Sequence, residues 1–272
     1  MIHYSLPRQL DKGIDELASL IDKYKRGEIS AAELKAHRVP FGVYEQRERD
    51  TYMVRIRCAA GCVTPSQLEE IALLSAKYAT GSIHLTTRQE LQIHYVKLDD
   101  IVSIIRRLRE IGLSSRGGGG NTVRNVTAQE DAGIDPQEIF DVTGYAIALT
   151  TRLLSEDDSW TLPRKLKIAF SGSSEDKEYA TVADIGFIAF IRDGQKGFRV
   201  YVAGGMGQKS ETGKLLFDFL PAQDTYFVTK TIKTLFWKYG NRKNKHAARL
   251  RFLWEAIGEE EFKKRFNEEY ES

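Results

Sequence analysis

TYMVRIRCA (residues 51–59), SQLEEIALLSAKYA (66–79), SIHLTT (82–87), ELQIHYVKL (90–98) and DDIVSIIRRLREIG (99–112) follow one another with short connections, and their order decides the fold. The first, third and fourth alternate apolar with polar residues and are rich in strand formers, so each predicts a strand. The second has Thr64 and Pro65 at the N-cap and first-turn positions of a helix that ends before Gly81. The fifth is an amphipathic helix opened by Asp99 and Asp100 and closed by Gly112, a charge order that suits the helix dipole. The pattern β-α-β-β-α is that of a ferredoxin-like split βαβ unit.

Outward from this unit, IDELASLIDKYKRG and EISAAELKAH predict helices, and Pro40 and Gly42 then break the pattern. Residues 1–45 therefore read as an N-terminal helical extension, and 46–113 as the ferredoxin-like half domain. SSRGGGGN, residues 114–121, marks the boundary to a mixed α/β domain over 114–272. In that domain TVRNVTAQ predicts a strand, and PQEIFDVTGYAIALTTRLLSE a helix with Pro136 in its first turn. LPRKLKIAFSGS predicts another strand. ADIGFIAFIRD and GFRVYVAGG predict a strand pair turning at Asp193-Gly194. The tail from Asp224 to Tyr270 reads as mostly helical. The fold class is α+β.

Composition bounds the function. The 272 residues are 42% hydrophobic and 29% charged, as in ordinary globular proteins. No apolar run approaches the ~18–20 residues of a membrane span. The start MIHYSLPRQLDKGIDEL has no basic-then-apolar secretory pattern, which predicts a cytoplasmic protein. A net charge of +2 does not mark a nucleic-acid binder. The charge is uneven, however: Thr225 to Trp254 holds eight Lys or Arg and no Asp or Glu. That stretch is either a solvated basic helix or a surface facing a polyanion. A nucleic-acid module would bind there with steep salt dependence. Two cysteines, Cys58 and Cys62, exclude a disulfide framework and a self-contained four-cysteine iron–sulfur site.

Four stretches carry candidate chemistry. Leu85 to His94 brings Thr86 and Arg88 to a turn and sets Gln92 and His94 on one strand face; it reads equally as a charged hairpin tip. Gly117 to Asn125 joins four glycines to Arg124 and Asn125. Consecutive glycines let backbone N–H groups approach an anion, or form a flexible linker, the better reading of the glycines alone. Leu162 to Lys167 places Lys165 and Lys167 on one face of a strand with Arg164 opposite. Two parallel ammonium groups want an anion between them, unless they guard a sheet edge. Asn241 to Arg251 reads as a basic helix with Arg242 and Arg249. No Ser/His/Asp arrangement, Walker loop or His-rich metal spacing accompanies these clusters. A polycarboxylate cofactor or small oxyanion suits the inventory better than hydrolysis.

In this order the stretches resemble the siroheme nitrite/sulfite reductase family. The family shows R-x-R-x-P-G-G-x-x-T, then L-T-x-R-Q with a downstream Q-x-H, then R-N-V, L-P-R-K-x-K, a V-G-G-G-like strand end and a basic helix. Here these are Arg55-Ile56-Arg57 with Gly61 and Thr64, Leu85 to Gln89 with Gln92 and His94, Arg124-Asn125-Val126, Leu162 to Lys167, Val202 to Gly205, and Arg242 to Arg251. The match runs over roughly residues 50–260. It implies a ferredoxin-like lobe followed by a mixed α/β nitrite/sulfite reductase domain, with siroheme held between domains. It implies six-electron reduction of sulfite to sulfide or nitrite to ammonia. Carried over, Arg88, Arg124, Lys165 and Lys167 bind the substrate anion. Arg55, Arg57, Thr86, Gln92, His94, Asn125, Arg164, Arg242 and Arg249 hold the cofactor. The 4Fe-4S ligands of the family, a C-x5-C and a C-x3-C pair, are not in this chain. Cys58-Ala59-Ala60-Gly61-Cys62 stands where the family has Pro-Gly-Gly, and reads as small turn residues rather than cluster ligands. The implied partners are a C-terminal half or second subunit, sequence beyond Ser272 that covers the basic stretch, and an electron-donor protein. The alternative is a stand-alone tetrapyrrole or anion module without redox activity.

Overall fold

The computed structural model describes residues 6–207 and 209–271, and the chain divides into two units, 1–120 and 121–272. Among the described residues no helix is long and apolar enough to cross a membrane.

The first unit contains α1 (Gln9–Lys25), α2 (Ala31–Arg38), β1 (Val43–Glu45), β2 (Tyr52–Arg57), α3 (Pro65–Tyr78), β3 (Ile83–Leu85), β4 (Glu90–Val96) and α4 (Ile101–Glu110). The predicted β-α-β-β-α order is present, with a short β1 added; the antiparallel sheet runs β1-β2-β4-β3. Thr64 and Gln67 form a reciprocal capping box at the start of α3, with Pro65 at its first position. Val54, Ile56, Leu91 and Ile93 are buried on one sheet face. The other face is polar, because the register sets Arg55 opposite Gln92 and Arg57 opposite Glu90. The extension packs onto this unit. α1 buries Leu10, Ile14, Leu17 and Ile21, and its acids pair with α4: Asp11 with Arg109 at 3.0 Å and Asp15 with Arg106 at 2.9 Å.

The glycine run is not a loose linker. A Cβ on Gly119 would meet the Val39 carbonyl oxygen at 2.2 Å and the Tyr44 hydroxyl at 2.6 Å. The amides of Gly117 and Gly118 donate to the carbonyls of Pro40 and Ser115, and that of Gly120 to the Tyr44 hydroxyl. These three N–H groups serve the fold rather than an anion nest. Cys58 is buried, and burial pushes its thiol up to about 12. It is a packed turn residue at neutral pH rather than a thiolate.

The second unit contains β5 (Val123–Ala128), α5 (Thr143–Leu154), β6 (Leu166–Ser171), β7 (Ile185–Arg192), β8 (Gln195–Val202), β9 (Lys214–Pro221), α6 (Thr225–Tyr239), α7 (Leu250–Ile257) and α8 (Glu259–Tyr270). Its sheet runs β5-β6-β7-β8-β9; β5, β6 and β7 are parallel, and β8 and β9 return antiparallel. Phe170 stacks on Phe187 at 4.6 Å, and Phe198 meets both edge-on. These rings fill the sheet's buried face. The β7–β8 turn falls at Asp193 and Gly194, both with positive φ, as the sequence predicts.

Three expectations change. Residues 136–142 are not helical; α5 begins at Thr143. The Asp135 carboxylate accepts from the Gln137 amide, and Ile139 donates to the Gly172 carbonyl, so side-chain and strand-end partners take the N–H groups a helix would use. Arg164 and Lys165 precede β6 instead of lying on it. The stretch from Asn241 to Arg249 is irregular, apart from one short turn at 245–247. The Asn241 side chain accepts from the amides of Lys243 and Asn244, and the Asn244 side chain from that of His246. Each asparagine closes a local turn that competes with a helix. The Thr225–Trp254 stretch is also partly neutralised. Lys233 is buried against Glu156 and Asp158, and Lys238 pairs with Glu269 at 2.6 Å.

Candidate anion-binding site

Topology collects the second unit's candidate residues. Because β5, β6 and β7 are parallel, Arg124, Lys165 and Asp184 stand at their N-terminal ends. The antiparallel β8 delivers Ala203, Gly204 and Gly205 to that same end. The irregular segment before α7 adds Lys245, His246 and Arg249, and the first turn of α7 adds Arg251. A cleft of about 440 Å³ opens here, lined by Arg164, Lys165, Lys209, Lys245, His246, Arg249 and Arg251 beside Met206, Ala247 and Phe252. Among the described residues no Asp or Glu lines it.

Electrostatics follow from that lining. Burial, and then the charges of Arg249, Arg124 and Arg164, press the Lys165 ammonium down to about 8, with Asp184 acting the other way. Asp184 is fully buried. Its carboxylate accepts from Arg249 Nε at 3.0 Å and Nη2 at 2.7 Å, and from the Lys167 amide at 2.7 Å. Arg251 is buried over the Phe252 ring at 4.7 Å, and Nη1 reaches the Met206 carbonyl at 3.4 Å. Among the described residues its buried Nε has no hydrogen-bond acceptor. A Cβ on Gly205 would lie 2.3 Å from Arg251 Nη1, so only glycine lets the guanidinium sit there.

The structure gathers Arg124, Arg164, Lys165 and Arg249 into one electrostatic cluster. Lys167 is the second residue of β6 with its amide tied to Asp184, and Asn125 is fully buried. Arg242 stands apart from the cleft lining. It is exposed and donates to the carbonyls of Thr161 and Trp237. Sequence reading missed Asp184 and Lys209, and took in Lys245, His246 and Arg251 only as members of the basic stretch Asn241 to Arg251. The visible signal for Asp184 was a lone acid inside the apolar run VADIGFIAF.

In the first unit the polar sheet face forms its own network. Arg55 Nη1 donates to the Gly118 carbonyl at 2.9 Å and lies over the Tyr44 ring. With the Gln92 amide turned, its oxygen accepts from Arg55 Nε at 3.0 Å and Nη2 at 2.8 Å, and its nitrogen meets His94 Nε2 at 3.0 Å. His94 Nδ1 faces Gln46 at 3.2 Å. Burial, then His84 and Arg55, lower the His94 pKa, which favours the neutral ring. Arg57 is buried and donates to the Arg116 carbonyl at 3.1 Å. Thr86 Oγ1 accepts from the amides of Arg88 and Glu90, fixing the turn that carries Arg88. Among the described residues no group of three or more His, Cys, Asp or Glu converges on a metal position.

The comparisons match both units to known proteins. Residues 44–111 match the nitrite/sulfite reductase ferredoxin-like half domain, and residues 119–272 match the nitrite and sulphite reductase 4Fe-4S domain. The chain is 32% identical over 248 residues to the assimilatory ferredoxin-dependent nitrite reductase of Haloferax mediterranei, covering 85% of this chain and 42% of that protein. It is 31% identical to the ferredoxin–nitrite reductase of Synechococcus elongatus, over 80% of this chain and 44% of that one. A sulfite reductase [ferredoxin] of Mycolicibacterium paratuberculosis is 26% identical over 83% of this chain and 40% of its own length. The solved structure of Mycobacterium tuberculosis NirA superposes with a TM-score of 0.83 at 24% identity, covering 95% of this chain and 53% of that one, which shows a shared fold. The chain thus spans about half the length, or less, of the relatives it matches. With both of its units matched in sequence, the chain belongs to the nitrite and sulphite reductase family.

Proposed function

We propose that this chain is the anion-binding half of a siroheme nitrite or sulfite reductase. The observation that carries this reading is the basic cleft at Lys165, whose described lining holds cations and no Asp or Glu. Siroheme has eight carboxylates and needs charge-assisted donors; the buried Arg251 Nε without an acceptor and the cationic lining fit that need. When bound, siroheme coupled to a 4Fe-4S cluster would relay electrons from the donor and offer an iron for the substrate anion. The cluster's thiolates come from outside this chain, since residues 119–272 hold no cysteine. A C-terminal half or partner subunit supplies them.

The chain's own residues then divide the work. Arg164, Arg249, Arg55, Gln92 and His94 hold macrocycle carboxylates, arginine through its planar fork. Arg88, Arg124, Lys165 and Lys167 would face the oxyanion and stabilise its charge while nitrogen or sulfur is reduced and oxygen leaves as water. With a pKa of about 8, Lys165 is protonated about ten to one at pH 7, yet loses its proton readily, which suits a general acid. The Haloferax mediterranei and Synechococcus elongatus relatives, both above 30% identity, are named as ferredoxin-dependent nitrite reductases, so nitrite is the first substrate to assay and a ferredoxin the first donor.

The test combines this chain with the cysteine-bearing half. Lys165→Met and Arg124→Leu are expected to lower viologen-driven turnover of nitrite and sulfite by about 100-fold, the scale of losing one preorganised donor, while siroheme absorbance persists. Full turnover in both variants refutes the assignment. Pigment bound by this chain alone, with no turnover in the combined protein, points instead to a stand-alone tetrapyrrole module.

A further inference from the structure

Asp184 is an acid that the reading above leaves unused. It is fully buried at the entrance to β7, in a region where cations predominate. One residue there connects four pieces of the second unit. Its carboxylate takes the Lys167 amide at the start of β6 and both Nε and Nη2 of Arg249 in the segment before α7. Its own carbonyl accepts from the Ala203 amide at the end of β8. The Arg249–Asp184 pair is two-pronged and shielded from water, the geometry in which a carboxylate fixes a guanidinium rather than merely attracting it. One N–H each of Arg249 Nε and Nη2 is thereby committed inward, so any cofactor contact must use Nη1 or the second N–H of Nη2.

We propose that Asp184 is a positioning residue of the anion site, which clamps Arg249 to the β6 strand end and offsets its charge beside Lys165. This inference rests on the proposed function for its purpose, but its test needs neither cofactor nor turnover. The charged groups acting on Lys165 are Arg249, Arg124 and Arg164 against it and Asp184 for it; Lys209, Lys245, His246 and Arg251 line the same cleft. Deleting the carboxylate's charge leaves Arg249 uncompensated, so the Lys165 ammonium gives up its proton more easily. Deleting the charge of Arg249 alone does the reverse. A residue that only held the fold together would not produce opposite signs.

The experiment uses the full chain and the rate at which acetic anhydride acylates Lys165 at pH 7, read by peptide mass spectrometry. Exposed Lys230 serves as an internal reference. Asp184→Asn is expected to raise the Lys165 rate about threefold or more, the effect of about half a pH unit on the neutral amine. Arg249→Gln is expected to lower it by a similar factor. The double variant Asp184→Asn/Arg249→Gln is expected to return close to the parent rate. An unchanged Lys165 rate in Asp184→Asn overturns the proposal, and so do changes of the same sign in both single variants. If Asp184→Asn unfolds, Lys233, buried in the parent chain, becomes acylated while exposed Lys230 keeps its rate. Asp184 is then a structural anchor only, and the proposal fails. None of these outcomes bears on viologen-driven turnover, so the two readings fail separately.

Discussion

Replacing Lys165 with methionine should make the chain more stable while removing the function proposed for it. In the folded protein burial and neighbouring cations lower this lysine from 10.5 to about 8. At about 1.4 kcal/mol per pH unit, that shift corresponds to a folding penalty of about 3 kcal/mol at pH 7. The side chain keeps some contact with solvent, and screening reduces the figure to about 1–2 kcal/mol. The sign follows from proton linkage. Because the folded pKa lies below the unfolded one, the unfolded chain binds more protons between them. Wild-type stability therefore carries the full penalty below pH 8 and recovers as pH rises from about 8 toward 10.5. Lys165→Met abolishes the penalty at every pH. For a unit of this size the melting temperature should rise by about 3–7 °C at pH 7, and the gap should shrink to less than about half at pH 9.5. Thermal unfolding followed by circular dichroism at the two pH values measures both. A variant less stable than wild type at pH 7, or an equal gap at both pH values, refutes the electrostatic description of the site.

Two further predictions concern the framework. Gly119→Ala forces a methyl group into the Val39 carbonyl and the Tyr44 hydroxyl and should cost the first unit about 2–3 kcal/mol; urea unfolding measures it, and a neutral substitution would show that the glycine run is slack. Lys233→Leu strips the buried ammonium from Glu156 and Asp158. It should cost about 2–3 kcal/mol, below the value for a fully buried pair because both carboxylates keep some exposure. Unchanged denaturation would mean that the network is dispensable.

The legibility of this sequence varied with how local the deciding physics was. The ferredoxin-like unit was readable because apolar alternation, a capping box and glycine stops all act within a few residues of one another. The Asp193-Gly194 hairpin was readable for the same reason. The segment around Pro136 was misread as helix because its competing partners, above all the Gly172 carbonyl, arrive from a distant strand end. The tail's basic residues were visible, but the asparagines that turn the chain at 241 and 244 were outweighed by the surrounding helix formers. β9 went unassigned although Leu215, Phe217 and Phe219 alternate along it. Arg124, Arg164, Lys165 and Arg249 were named from motif order, and the second unit does cluster them. Arg242, named on the same grounds, caps a tryptophan-bearing turn outside the cleft. Asp184 stood out as a lone acid in an apolar run, but its role was unreadable because its partners lie 17 and 65 positions away.

The ion-paired contact between α1 and α4 also bears on how this protein can be cut. The matched half domain begins at residue 44, and a fragment trimmed to that border would look complete by homology. It would nevertheless strip away Leu10, Ile14, Leu17 and Ile21, exposing greasy surface on α4 and orphaning Arg106 and Arg109. Such a truncate should aggregate on expression. Here the boundary inherited by descent and the boundary at which the polypeptide is soluble differ by two helices.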